Sequence, residues 1–258
     1  IGTAKPTPAE RAGIPYAGLD LADPSQAFSV HDYLRGVIDT MAAHPGVRTW
    51  LVAGGTGLYV RCLLKGLDEQ EGANPALRAE AETILAGQGF HALMAWCQQR
   101  DPDIRERLPE GDRGNARRWI RALERGPVLP SDVPLPDDVR IAGLCRDRAE
   151  LEARIVRRVD DMFARGLVEE VRSLRAGGVE WSPTARQAIG YAEAAAVLDG
   201  RMTAAAARER TVIRTRQYAK RQMTWFRHQL PTRWFSVCGE HDMNLASRRI
   251  MEYWSSHD

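Results

Sequence analysis

Val47-Arg-Thr-Trp-Leu-Val-Ala53 runs into Gly54-Gly-Thr-Gly57 and then into Leu58-Tyr-Val-Arg-Cys-Leu-Leu64. The first segment is a short apolar run bounded by turn residues and reads as a buried strand; the last reads as a helix. Strand, glycine turn and helix in that order are the local shape of an α/β unit that handles a nucleotide or a phosphate. Glycine lets backbone N–H groups come close to a ligand, and the start of a helix favours an anion. Thr56 adds a hydroxyl at that point. A tight turn without a ligand accounts for the same residues equally well. The turn is not a Walker A loop, because no G-x-x-x-x-G-K-[ST] occurs in the sequence.

Upstream, residues 1–23 are rich in Pro, Gly and Ala and read as loop with a short strand at Gly18-Leu-Asp-Leu21. Residues 27–41 read as a helix capped by Ser25 or Ser29. Downstream, residues 74–125 have a helical pattern broken at Gly87-Gln-Gly89, Asp101-Pro102 and Pro109-Glu-Gly-Asp112. Residues 127–136 carry four prolines and read as a connector. Strands are expected at 138–144 and 231–237. Helices are expected at 147–165, with Gly166 as its C-cap, and at 167–174, 185–198, 203–227 and 244–254. The expected class is α/β. The core takes residues 1–72 and 110–258, with a helical insertion at 73–109.

The chain has 258 residues, enough for a sizeable core, and its formal net charge is +2. A polyanion site must therefore come from local clustering. No run of about eighteen apolar residues is present, so no membrane helix is expected. Cys62, Cys97, Cys145 and Cys238 form no CxxC pair, which points away from a zinc site or a disulfide framework and toward a reducing cytoplasm.

Charge does cluster in Arg214-Thr-Arg-Gln-Tyr-Ala-Lys-Arg-Gln-Met-Thr-Trp-Phe-Arg227, where five basic residues and three aromatics share fourteen positions. At about 100° per residue, Arg210, Arg214, Gln217, Arg221 and His228 form one stripe of a helix. Val212, Ala219, Met223 and Phe226 lie on the other side. A docked apolar face and an arginine face suit a polyanion, and they also suit a solvated helix. Arg117, Arg121 and Arg125 share the face of a second basic helix. Gln187-Ala-Ile-Gly-Tyr191 offers an amide and a close backbone approach, or simple packing.

These pieces stand in one order. It runs Gly2-Thr-Ala-Lys-Pro-Thr7, Leu19-Asp-Leu21 with Asp23-Pro24, Gly54-Gly-Thr-Gly-Leu-Tyr59 and Arg118-x-x-Arg-Ala-Leu-Glu124. It continues with Arg158-Val-Asp-x-Met162 and Gly166-Leu-Val-Glu-Glu170, Gln187-Ala-Ile-Gly-Tyr191, and Lys220-Arg-Gln-Met-Thr-Trp-Phe-Arg227. The order closely resembles the tRNA dimethylallyltransferases over essentially the whole chain. The resemblance implies a P-loop-NTPase-like parallel sheet core with a tRNA-gripping helical insertion. It implies transfer of a dimethylallyl group from dimethylallyl diphosphate to N6 of adenosine 37 in tRNA, with Mg2+ assisting the diphosphate leaving group. The adenine must leave its stack to react. The implied partner is a tRNA anticodon stem-loop, on a cytoplasmic protein expected to be a monomer and to need no membrane.

By motif position, the resemblance places tRNA contacts on Thr56, Arg78, Arg117, Arg118 and Arg121. Further contacts fall on Gln187, Gly190, Tyr191, Lys220, Arg221, Gln222, Thr224, Trp225 and Arg227. Arg158 is the candidate for the diphosphate side, where a guanidinium can neutralise leaving-group charge; an exposed helical position is the alternative. The family's P-loop, the strand before it and its general-base Asp lie ahead of the Gly-Thr-Ala-Lys-Pro motif and so ahead of Ile1. The chain as given is therefore expected to be incomplete for catalysis, with its catalytic residues unassigned beyond a supporting Thr56 and no metal ligand identified. Tyr16-Ala17 and Ala192 replace residues that are usually basic in the family. A non-catalytic tRNA-binding remnant of the family is the alternative function. A small-molecule kinase relative is disfavoured by the absent Walker lysine.

Overall fold

A computed structural model describes residues 1–66, 74–125, 134–135, 139–178, 180–239 and 241–256, with backbone alone for Arg125 and His241. The elements in chain order are α1 (Val30–Ala43), α2 (Gly57–Lys65), α3 (Pro75–Arg100), α4 (Ile104–Arg107), α5 (Ala116–Arg125), β1 (Ile141–Cys145), α6 (Arg148–Ala164) and α7 (Leu167–Ala176). They continue with α8 (Pro183–Gln187), α9 (Tyr191–Leu198), α10 (Ala204–Gln229), β2 (Thr232–Ser236) and α11 (His241–Ser255). The chain divides into two compact units, one of Ile1–Gly66 with Leu135–Asp258, the other Leu67–Pro134.

Local chemistry sets most helix starts. Ser29 caps α1 in a capping box with Asp32, so it, not Ser25, is the N-cap. Asn74, Asp147, Ser182 and Thr203 cap α3, α6, α8 and α10 through their side chains. Gly166 adopts φ 92° between α6 and α7, a left-handed conformation that strains any residue with a Cβ.

The second unit is helical. A kink at Gly89, with φ 81°, bends α3 where the glycine pair interrupts the sequence pattern. Ala81, Leu93 and Cys97 of α3 are buried with Ile104, Leu108, Trp119 and Ile120. Trp119 is 1% exposed, and its indole N–H donates to the Arg113 carbonyl at 2.8 Å. Burial pushes the Cys97 thiol up to about 11, so it behaves as a packing group. This unit is larger than the insertion expected at 73–109: α5 packs on α3 and α4, which carries the boundary beyond that helix.

In the first unit, β1 and β2 pair in parallel, with Ile141 opposite Thr232 and Cys145 opposite Ser236. Among the described residues, the expected parallel sheet is thus present as two strands, inside a helix-dominated α/β fold. A parallel pair needs a long crossover, and α6 to α10 supply it. On α10, Val212 packs with Ile155 and Val159 of α6, and Ala219 lies against the same cluster. A second cluster gathers Leu167, Val171, Trp181, Tyr191 and Ala194.

Three expectations differ. Residues 47–53 form no strand, and Leu51 there is 71% exposed. A run of apolar residues becomes a strand only beside a ladder partner, and none pairs with it among the described residues. Residues 18–20 are a bend, with Asp20 at φ 57°, and Leu21 is not in a strand. The helix expected over 185–198 is split at Gly190, whose φ is 93°. Most of the proline connector at 127–136 lies outside the described residues.

Candidate nucleic-acid interface

The glycine turn and the arginine helix meet. Gln222 on α10 donates its amide to the Gly55 carbonyl at 3.0 Å. A Cβ on Gly55 would stand 2.1 Å from the same amide, and one on Gly57 would stand 2.0 Å from Cε3 of Trp225. These glycines are required because α10 presses its side chains onto the turn. In sequence, a bound ligand and a plain tight turn account for these glycines equally well. Gly57→Ala is expected to displace Trp225 and to destabilise the protein by about 1–3 kcal/mol, the usual cost of overpacking. Chemical denaturation measures this, and an unchanged midpoint would show that the ring yields freely.

The contact leaves Thr56 at the N-cap of α2, exposed, with no cap hydrogen bond from its side chain. Its hydroxyl therefore remains available to a ligand. On α10, Lys220, Arg221, Thr224 and Arg227 are exposed. The Arg221 guanidinium lies 5.9 Å from the Tyr218 ring centroid, and that of Arg227 lies 5.8 Å from the ring of Trp234. No carboxylate pairs with Lys220, Arg221 or Arg227 among the described residues. An aromatic neighbour orients a guanidinium without neutralising it, so these charges stay available.

The other end of the stripe is used internally. Arg214 donates to Glu193 Oε1 at 2.6 Å and to the Gln187 carbonyl at 2.9 Å. Glu193 is 2% exposed, and its second oxygen accepts the Gly190 N–H at 2.9 Å. Arg214 and Glu193 thus bolt α10 to the Gln187–Tyr191 segment. Sequence reading missed Glu193, although an acid three residues after a glycine break is a capping pattern.

The Gln187–Tyr191 motif is divided in role. Gln187 has an exposed side chain. Gly190 is buried; beyond its positive φ, a Cβ there would sit 3.2 Å from Met162 Cε. Tyr191 is 8% exposed, and its hydroxyl donates to Glu170 Oε1 at 2.5 Å. The same oxygen accepts the Gly2 N–H at 3.2 Å, and a Cβ on Gly2 would meet the Tyr191 ring at 2.0 Å. Tyr191 therefore clamps the Gly-Thr-Ala-Lys-Pro segment. Burial, then the bond to Glu170, raises its phenol pKa, which keeps it a proton donor in that bond.

In the second unit, Arg117 and Arg118 are exposed, and Arg118 lies 3.6 Å from Asp112. Arg78 and Arg121 both reach Glu124 Oε2, at 2.8 and 3.4 Å, and Glu124 is 1% exposed in its side chain. Glu124 orients both arginines and takes part of their charge. Arg158 is exposed on α6 without an ion pair among the described residues. No group of three or more His, Cys, Asp or Glu among the described residues could hold a metal ion. No helix there is long and apolar enough to cross a membrane.

The family model described as IPP transferase matches residues 1–229. The chain is 38% identical over 263 residues to the tRNA dimethylallyltransferase of Kineococcus radiotolerans, covering 98% of this chain and 81% of that protein. It is 42% identical over 245 residues to the one from Thermobifida fusca, covering 91% and 75%. Among solved structures, it is similar to the tRNA isopentenylpyrophosphate transferase of Bacillus halodurans, with a TM-score of 0.67 and 32% identity over 98% of this chain and 84% of that one.

Proposed function

The chain belongs to the IPP transferase family, and we propose that it transfers a dimethylallyl group from dimethylallyl diphosphate to N6 of adenosine 37 in tRNA. One observation carries the reading for the residues of this chain. The contact of Gln222 and Trp225 with the glycine turn joins an unengaged Thr56 to a helix whose Lys220, Arg221, Thr224 and Arg227 are exposed. The arginines supply phosphate contacts that position an anticodon loop without reading it. Thr56, at a helix start, faces the nucleotide that leaves its stack. Arg78, Arg117, Arg118 and Arg121 offer further phosphate contacts on the second unit, Gln187 an amide, and Arg158 a charge for the diphosphate side.

Magnesium accompanies the diphosphate in this reading. No group of three or more His, Cys, Asp or Glu stands among the described residues, and a magnesium ion held by substrate phosphates usually takes only one or two carboxylates. A bound magnesium ion would stabilise charge on the departing diphosphate.

The test pairs binding with product. Unmodified tRNA carrying adenosine 37 is expected to bind tightly at low salt and more weakly as salt rises. Any group added on incubation with dimethylallyl diphosphate and Mg2+ is expected, by mass spectrometry, on adenosine 37, with none on a guanosine 37 variant. Absence of tRNA binding at low salt, or equal modification of guanosine 37, would overturn the reading.

A further inference from the structure

A cavity of about 340 Å³ opens among α7, α8, α9 and α10, away from the glycine turn. Its size is at the low end of small-molecule sites, which run about 300–1,000 Å³. Arg175, Arg186, Arg201, Arg210 and Arg214 line it, together with Glu193. Trp181 and Met202 contribute apolar wall.

The guanidiniums are held in place by carboxylates. Asp199, outside the lining, pairs with Arg175 at 2.6 Å and with Arg201 at 2.5 Å. Hydrogen bonds from Arg175 and then Arg201 hold its carboxyl down at about 2, so this anchor stays ionised throughout ordinary pH. Buried Glu193 takes Arg214 at 2.6 Å and faces Arg210 at 3.8 Å. Arg186 pairs with Glu180 at 2.5 Å and donates its Nε–H to the Trp181 carbonyl at 2.8 Å. Five arginines are thus met by three paired carboxylates, an excess of two positive charges. Each guanidinium has five N–H donors, and most of these remain unspent.

We propose that this cavity is a binding site for a phosphate-bearing anion, separate from the face that holds the anticodon loop. Guanidiniums from α7, α8, the α9–α10 turn and α10 line this one cavity, and a planar fork of donors favours phosphate over a compact halide. Two sources share the chemistry: a free phosphate monoester such as a nucleoside monophosphate, or a backbone phosphate of RNA that continues past the anticodon loop. The proposal does not rest on the transferase reading, since its ligand can bind whether or not prenyl transfer occurs.

The experiment compares the chain with Arg201→Gln/Arg210→Gln and with the single Arg210→Gln variant. Arg201 and Arg210 are more than 60% exposed in their side chains, which keeps the variants foldable. Calorimetric titration with adenosine monophosphate and with inorganic phosphate is one arm. The salt dependence of binding to an anticodon stem-loop and to full-length tRNA is the other. A free ligand is indicated if monophosphate affinity falls at least tenfold in the double variant. An RNA phosphate is indicated if the salt slope for full-length tRNA falls by about 0.7 per lost contact while that for the stem-loop holds. Unchanged monophosphate affinity together with unchanged slopes would overturn the site.

Discussion

Glu193→Ala is expected to cost about 3 kcal/mol of folding stability, read as a lower midpoint in denaturant. Glu193 is buried and serves two donors, the Gly190 N–H and the Arg214 guanidinium. Removing one partner of a buried pair leaves the other charge uncompensated, a loss of about 3–5 kcal/mol. Arg214 keeps 30% of its side chain exposed, so water recovers part of its solvation and the low end applies. Glu193→Gln separates the two duties. It keeps an acceptor for Gly190 and removes the charge that Arg214 meets, so a smaller loss is expected. If alanine and glutamine cost the same, the cap contributes nothing measurable. If alanine costs under about 1 kcal/mol, an ordinary single hydrogen bond, the bolt described above does not exist.

Arg221→Ala with Arg227→Ala is expected to weaken tRNA binding about a hundredfold at low salt. Each arginine is exposed and pairs with an aromatic ring, with no carboxylate partner among the described residues. A hydrogen bond to a charged group contributes about 1.5 kcal/mol at the low end, roughly tenfold in affinity for each contact. The two effects add only if the sites do not share a phosphate. The salt slope separates this from a folding defect. Two lost single-strand phosphate contacts lower it by about 1.4. Loss of affinity with an unchanged slope would show that the variant is misfolded, and unchanged affinity and slope would show that the face meets only solvent.

The two variants act on one helix through opposite environments, and the sequence does not distinguish them. Arg214 and Arg221 lie on the same expected stripe, seven residues apart. Glu193 comes to Arg214 from 21 residues away, across the turn between α9 and α10. Tyr191, expected to touch RNA, is instead buried under Gly2 and bonded to Glu170, 21 residues earlier. Gly55 and Gly57 were correctly singled out for close approach, but the group that approaches is the α10 surface. Periodicity reports which residues share a face; it does not report what the face meets.

Sequence alone determined what depends on near neighbours. Asn74, Asp147 and Thr203 open the expected helices because a cap hydrogen bond spans only two or three residues, while the choice of Ser29 over Ser25 fell to the structure. The breaks at Gly89 and Gly166 follow from backbone conformations that side chains resist. The family too was legible, because ordered motifs survive without coordinates. Tertiary structure alone decided that residues 47–53 form no ladder with any described residue, that α5 belongs with α3, and that Arg214 of the arginine stripe turns in to Glu193 while Arg221 faces outward. Each of these depends on a partner far along the chain, and hydrogen-bond pairing and charge compensation are properties of the pair.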